Sequence, residues 1–526
     1  MNSVGKAYTT YAFGCACIPM QVFAMKRWIN AALVRRSVIV GALVCSGAVG
    51  FSCSPAGKDS TVSGDGTGAS SVGSGGTVNG SGGTKTGPDL GPDVRSMQPE
   101  GPCQGLECAV PACTPGVTTS ITGKVFAPNG TLPLYNVLVY VPNTPIAPVM
   151  PFTDGAKCDR CDASVLNPVT SAVTDETGSF KLEKVPAGQN IPLVIQVGKW
   201  RRQLTIPVVM PCMDTPLTDP QMTRLPKNKL EGDLPKIAIA VGGADQMECF
   251  PLRLGIDASE FTTNAGDGRI HMFVGHSGDG GDQPVRAFDA THGGQMLPSA
   301  DGLWATKAEL MKYDITILSC EGESYGILKP MSARQALYDY ASEGGRVFAS
   351  HWHNVWFAEG PPPVPTTGTW VNRANPSGGS VALTATINQT FPKGAALAQW
   401  LVNVGASMTV GQMPVTFPRD NIQAVNPMLA REWITVDNPR EGNTKAIQYM
   451  SFNTPIGAAE AQICGRAVYT DLHVAAVDNN DTANAKGFPA SCQMRPLSEQ
   501  EKAVAFMLFD LSACVQNDDI EPQPPE

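Results

Sequence analysis

This chain of 526 residues predicts two folded parts of different class: a small all-β sandwich, then a three-layer α/β domain with a mainly parallel sheet. Three observations carry that reading. Across residues 114–211, short β-rich runs alternate with turn signals. From Leu234 onward, continuous apolar runs end in glycines and alternate with segments of helical spacing. All six histidines lie between His271 and His473, two of them at the end of one such run, Gly344 to His353.

In the first part, residues 120–126 alternate, 135–141 form a β-rich apolar run, and 178–182 follow the turn signal Thr174-Asp-Glu-Thr-Gly178. Pro186-Ala-Gly188 leads into a run at 191–197, and a last strand covers 202–209. Short strands at this spacing indicate a β-sandwich. Thr122-Gly-Lys-Val125, Asp175-Glu-Thr-Gly-Ser-Phe180 and Val185-Pro-Ala-Gly188 resemble the carboxypeptidase regulatory-like family. The resemblance implies a non-catalytic, prealbumin-like spacer or binding module. The insertion at 142–169, with Cys158 and Cys161, departs from it and reads as a stapled loop or a recognition loop.

In the second part, 236–243, 269–275 and 313–320 read as buried strands. Ala333, Ala336, Leu337, Tyr340 and Ala341 fall at helical spacing, closed by Gly344-Gly345. Near the end, 445–452 and 465–470 are strand-like. Ser498 and Glu501 form a capping box ahead of the apolar face Val504, Met507, Leu508, Leu511. Tyr313-Asp-Ile-Thr-Ile-Leu318, the element from Tyr340 to His351, and Gly465-Arg-Ala-Val-Tyr-Thr-Asp-Leu-His473 resemble ThuA-like proteins of the class I glutamine-amidotransferase-like superfamily. The resemblance spans most of 234–514, with 361–427 fitting poorly. It implies a flavodoxin-like arrangement, a frequently lost cysteine nucleophile and a link to sugar metabolism.

The N-terminus reads as a targeting segment. Met25-Lys26-Arg27 and Arg35-Arg36 precede an apolar stretch at 37–51, with Met25 the expected start. Cys53 after Gly50-Phe51-Ser52 resembles a bacterial lipoprotein site. The expected organisation is a signal and lipoprotein segment (1–53), a Gly/Ser-rich disordered tether (54–101), the cysteine-stapled sandwich (102–230), the ThuA-like domain (231–516) and a disordered tail (517–526). Export permits disulfides. Cys103, Cys108, Cys113, Cys158, Cys161, Cys212 and Cys249 read as local staples. A net charge of −9 lacks the basic footprint of a nucleic-acid binder.

In an open α/β sheet, ligands bind beyond the carboxyl ends of the strands. The run 346–349 ends in Ser350-His351-Trp352-His353, with no cysteine for an amidotransferase elbow. Candidate catalytic residues are therefore His351, His353 and Cys320, the last needing a base such as His351 within hydrogen-bond reach. A metal reading rests on His351, His353, Asp471 and His473, which repeat an i, i+2 spacing suited to zinc or another divalent ion if both strands continue. The loop with Asp279 and Asp282 reads as a flexible rim. Glu321 and Glu323 could in principle be paired carboxylates for glycoside chemistry, but adjacent positions on one loop carry no such geometry by themselves.

The expected function is an exported cell-envelope lipoprotein, in the outer membrane or secreted, touching membrane only through its anchor. Its ThuA-like domain is read as non-catalytic, binding carbohydrate or protein at the cell surface. The alternative is a metal-assisted surface hydrolase working through the strand-end histidines on a carbohydrate-related substrate.

Overall fold

A computed structural model describes residues 103–143, 151–161, 167–277, 283–371, 382–438, 444–474 and 484–524. The targeting segment, Cys53, the tether, Asp279 and Asp282 lie outside the described residues. Among the described residues, no helix is long and apolar enough to cross a membrane.

The described residues belong to one compact unit. Its first part holds β1 (Ser120–Lys124), β2 (Leu138–Pro142), β3 (Pro168–Val173), β4 (Ser179–Glu183), β5 (Gly188–Val197), β6 (Trp200–Val209) and β7 (Asp214–Leu217). They make a three-stranded sheet, β4-β1-β7, and a four-stranded sheet, β3-β2-β5-β6. The faces carrying Ile121, Leu182, Val139, Val141, Leu193 and Ile195 share one core.

The second part is built on β8 (Ile237–Val241), β9 (Phe261–Thr262), β10 (Ile270–Val274), β11 (Ile315–Leu318), β12 (Arg346–Ser350), β13 (Gly368–Trp370), β14 (Leu383–Ile387), β15 (Gln412–Val415), β16 (Ile422–Val425), β17 (Arg431–Asn438), β18 (Thr444–Thr454) and β19 (Gly465–Thr470). All but β13 and β16, which pair with each other, form a ten-stranded sheet ordered β15-β14-β17-β18-β19-β12-β11-β8-β10-β9. Pairing is parallel from β9 through β19 and antiparallel from β19 outward to β15. The sheet is thus mixed, which corrects the expectation of a mainly parallel one. The physical reason lies in burial. Strands β8, β11, β12 and β19 are buried along their length, as parallel strands covered on both faces must be. By contrast, β14 and β15 alternate buried and exposed residues, the pattern of half-covered antiparallel strands.

The helices are few and mostly short: α1 (Cys249–Arg253), α2 (Ala300–Trp304), α3 (Lys307–Leu310), α4 (Met331–Ser342), α5 (Val355–Ala358), α6 (Pro392–Asn403) and α7 (Glu499–Ser512). The Gly pair ends α4 as the sequence suggested: Gly344 has φ +113°, and a Cβ there would lie 2.2 Å from the Lys157 carbonyl. The Ser498–Glu501 capping box opens α7. Instead of one apolar face, α7 is buried nearly all round, because it lies between the two parts. Phe506 stacks on Tyr135 at 5.7 Å, Phe509 meets Trp200 edge-on at 5.8 Å, and the Trp200 indole N–H donates to Ser512.

The cysteines correct a second expectation. Cys103–Cys108 is local and Cys113–Cys212 lies within the first part, but Cys158–Cys464, Cys161–Cys514 and Cys249–Cys492 span 243 residues or more. The insertion is stapled outward, to the strand entering β19 and the residue behind α7. Toward the C-terminal end, Asp518 is buried and takes ion pairs from Arg466 at 2.9 Å and Lys393 at 3.5 Å.

Replacing Cys161 and Cys514 together with serine should lower the unfolding free energy by about 3–5 kcal/mol, read from urea denaturation. Replacing Cys103 and Cys108 should cost less, since that loop is short. An unchanged midpoint for the first pair would show that the clasp contributes nothing.

Candidate functional site

The site forms where three parallel strands end. Leu318 of β11 is level with Ala349 of β12, and Ser350 of β12 with Thr470 of β19, so residues just beyond these points emerge side by side. Cys320 Sγ lies 3.2 Å from His351 Nδ1, and His473 Nε2 lies 3.0 Å from the same nitrogen. One ligand atom from each of the three residues falls within 4.8 Å of the others. All three residues are buried, and among the described residues Cys320 is the one free cysteine.

His351 has φ +41°, a left-handed conformation that bulky residues rarely adopt. It ends β12 and starts a 3-10 turn, His351–Asn354, that runs into α5. With the strand ended, His351 and His353 do not share a face, which corrects the inference from their spacing. His353 Nε2 meets the Ser319 carbonyl at 2.9 Å, while its Nδ1 accepts the Trp356 indole N–H at 2.8 Å. That fixes a neutral tautomer and leaves no lone pair for an ion.

Asp471 and His473 also part. One Asp471 oxygen accepts the Asn421 amide N–H at 2.9 Å, and the other meets the Tyr469 hydroxyl at 2.6 Å. That hydroxyl also lies 2.8 Å from the His351 carbonyl. Tyr469 has one proton to give. If it serves the carbonyl, the Asp471 contact needs a protonated carboxyl, and burial does push Asp471 up to about 7. Asp471 therefore braces the turn from beneath instead of joining the cluster.

Burial also sets the charge of the cluster. It pushes the Cys320 thiol up to about 12, His473 down to about 3 and His351 well below the usual imidazole range. At neutral pH the group is a thiol beside two uncharged imidazoles, not the thiolate–imidazolium pair of a cysteine nucleophile. Uncharged imidazole is the form that binds a metal, and a bound metal strips the proton from a thiol. Tetrahedral zinc holds such donors about 3.3–3.6 Å apart, a few tenths of an ångström wider than the two contacts His351 Nδ1 makes with Cys320 and His473. His351 Nε2 is itself buried without a hydrogen-bond partner among the described residues.

Surrounding residues fix this geometry. Asp245, beyond β8, accepts from the Ser350 hydroxyl at 3.0 Å and from the Val474 amide at 3.2 Å, so it ties β12 to the segment after β19. Gln500 of α7 donates to the His473 carbonyl at 2.6 Å. Sequence reading missed Asp245, although it follows Gly242-Gly243 at a strand end, the same signal that marked Cys320. Glu321 is neutralised by a buried ion pair with Lys329 at 2.6 Å, and Glu323 is exposed, so neither is a paired acid.

No family model and no curated protein matches the chain. Among solved structures, a putative ThuA-like protein from Bacteroides uniformis is a neighbour at 12% identity and TM-score 0.23, over 38% of this chain and 77% of that one. A cohesin–X-dockerin complex chain from Acetivibrio cellulolyticus matches at 16% identity and TM-score 0.15, over 26% of this chain and 85% of that one. A 9R-lipoxygenase from Cyanothece matches at 17% identity and TM-score 0.11, over 22% and 19%. Likenesses this slight bear on neither fold nor activity.

Glu248, also beyond β8, is fully buried, neither carboxylate oxygen has a hydrogen-bond partner among the described residues, and burial pushes it up to about 8. The unfolded chain releases that proton near pH 4.3. Stability from this group is therefore fully present below that pH and is lost as pH rises to about 8. Glu248→Gln should match the parent near pH 4 and exceed it by on the order of 4 kcal/mol near pH 8, read from denaturant unfolding across pH. Parallel pH profiles would refute the buried, protonated state.

Proposed function

We propose that this chain is an exported cell-envelope protein, tethered through Cys53, whose α/β part is a metal-assisted hydrolase acting on a carbohydrate-related substrate. The observation that carries it is the convergence of Cys320, His351 and His473, with both imidazoles held in the uncharged form that binds a metal. Cys320, His351 and His473 would hold zinc or a similar ion with one position open, and the ion would supply activation of water near neutral pH. Within the protein, the left-handed turn aims His351, Tyr469 and Asp471 hold that turn, and Gln500 and Asp245 hold His473 and its neighbour Val474.

The sequence motifs support the finer reading that this part is ThuA-like and the first part carboxypeptidase regulatory-like. The parallel strands β10-β8-β11-β12-β19 run in the order 2-1-3-4-5, which favours a flavodoxin-like arrangement. The sandwich serves here as a spacer or carbohydrate- or protein-binding module.

Purified full chain dialysed against zinc should retain about one ion per chain, measured by elemental analysis. His473→Ala and Cys320→Ser should lose it, while His353→Gln should keep it. Metal-free parent protein would overturn this reading and leave standing a non-catalytic module that binds carbohydrate or protein at the cell surface.

A further inference from the structure

Arg419 lies on the segment after β15, and the backbone around it is pinned against the site from two sides. Its own carbonyl accepts the Gln448 side-chain N–H at 2.7 Å. Two residues on, the Asn421 amide donates to Asp471 at 2.9 Å. Gln448 in turn accepts the Asp471 amide N–H at 2.9 Å, so strand β18, residues 419–421 and the end of β19 are laced together.

The guanidinium itself is left over. Every other arginine of the described residues has a carboxylate, carbonyl or side-chain partner: Glu231 for Arg224, Asp154 for Arg269, Asp519 for Arg431, the Cys464 carbonyl for Arg346. Arg419 has no hydrogen bond or ion pair among the described residues, although it is half-buried. Its charge reaches Cys320, His351, His473 and Asp471, lowering the proton affinity of each. The guanidinium is a permanent cation with five N–H donors, and this one stands half-buried beside the cluster with no partner among the described residues.

We infer that Arg419 is a substrate-anchoring residue, and that the ligand of this centre carries an oxyanion, a carboxylate or a phosphate, beside the group that approaches Cys320, His351 and His473. The planar fork of the guanidinium matches two oxygens of such a group at once. This rests on the hydrolase reading for the position of the reacting group, but not for anion binding itself. The proposal narrows the carbohydrate-related substrate to an acidic one: a sugar acid or a sugar phosphate.

The test is anion titration of the full chain, both zinc-loaded and chelator-treated, followed by tryptophan fluorescence. Trp352 is the reporter, since its ring lies 5.0 Å from that of His351. Succinate and inorganic phosphate are the probes, and whichever binds more tightly identifies the source of the oxyanion. Arg419→Met should weaken saturable binding by about tenfold or more, and Arg419→Lys should restore part of it. Zinc content of both variants should equal that of the parent, which separates anchoring from loss of the centre. Equal affinity in parent and Arg419→Met, or no saturable response in the parent under either condition, would overturn the proposal. Failure of the hydrolase reading appears separately, as absence of zinc from the parent.

Discussion

Where β12 stops, His351 takes a φ of +41°, and the candidate site depends on that reversal. Had the strand continued, His351 and His353 would have shared a face. The turn instead sends His351 to Cys320 and His473 while His353 drops beneath them, closed off by Ser319 and Trp356. A left-handed histidine costs of order 1–3 kcal/mol, so it persists only where its surroundings hold it. Tyr469 supplies one such hold through the His351 carbonyl, and Asp471 stands behind Tyr469.

Burial then decides what the cluster can do. In water the same three side chains would make an ordinary thiol and two imidazoles that charge near pH 6.5. Buried together, the imidazoles lose their affinity for protons and the thiol holds its own. That combination is poor for a free nucleophile and good for a metal. Arg419 adds positive charge beside the cluster and has no partner among the described residues.

The two parts are not independent beads. The hydrophobic core runs without a break from Ile121 and Val139 through Trp200 to Ile237 and the residues of α7. Within the insertion, Cys158 and Cys161 are bonded to Cys464 and Cys514. Cys464 immediately precedes β19, the strand that delivers His473, so the clasp restrains an element of the site from its far end.

Much of the fold was legible in local pattern. Apolar runs marked β8, β10, β11, β12 and β19, alternation marked most of the first part, and Ser498 with Glu501 marked the start of α7, because periodicity and caps act over a few residues. Cys320, His351 and His473 were legible as candidates from their positions at strand ends. The antiparallel extension, the disulfide partners and the separation of His353 and Asp471 from the cluster were not, since each depends on strand register and on one backbone angle. Arg419 and Asp245 joined the site the same way, brought in by segments far apart in the chain. Sequence alone determined which side chains stood at the ends of the strands. Tertiary structure decided which of them meet, because convergence is set by register, turn handedness and burial, and none of these is a property of neighbouring residues.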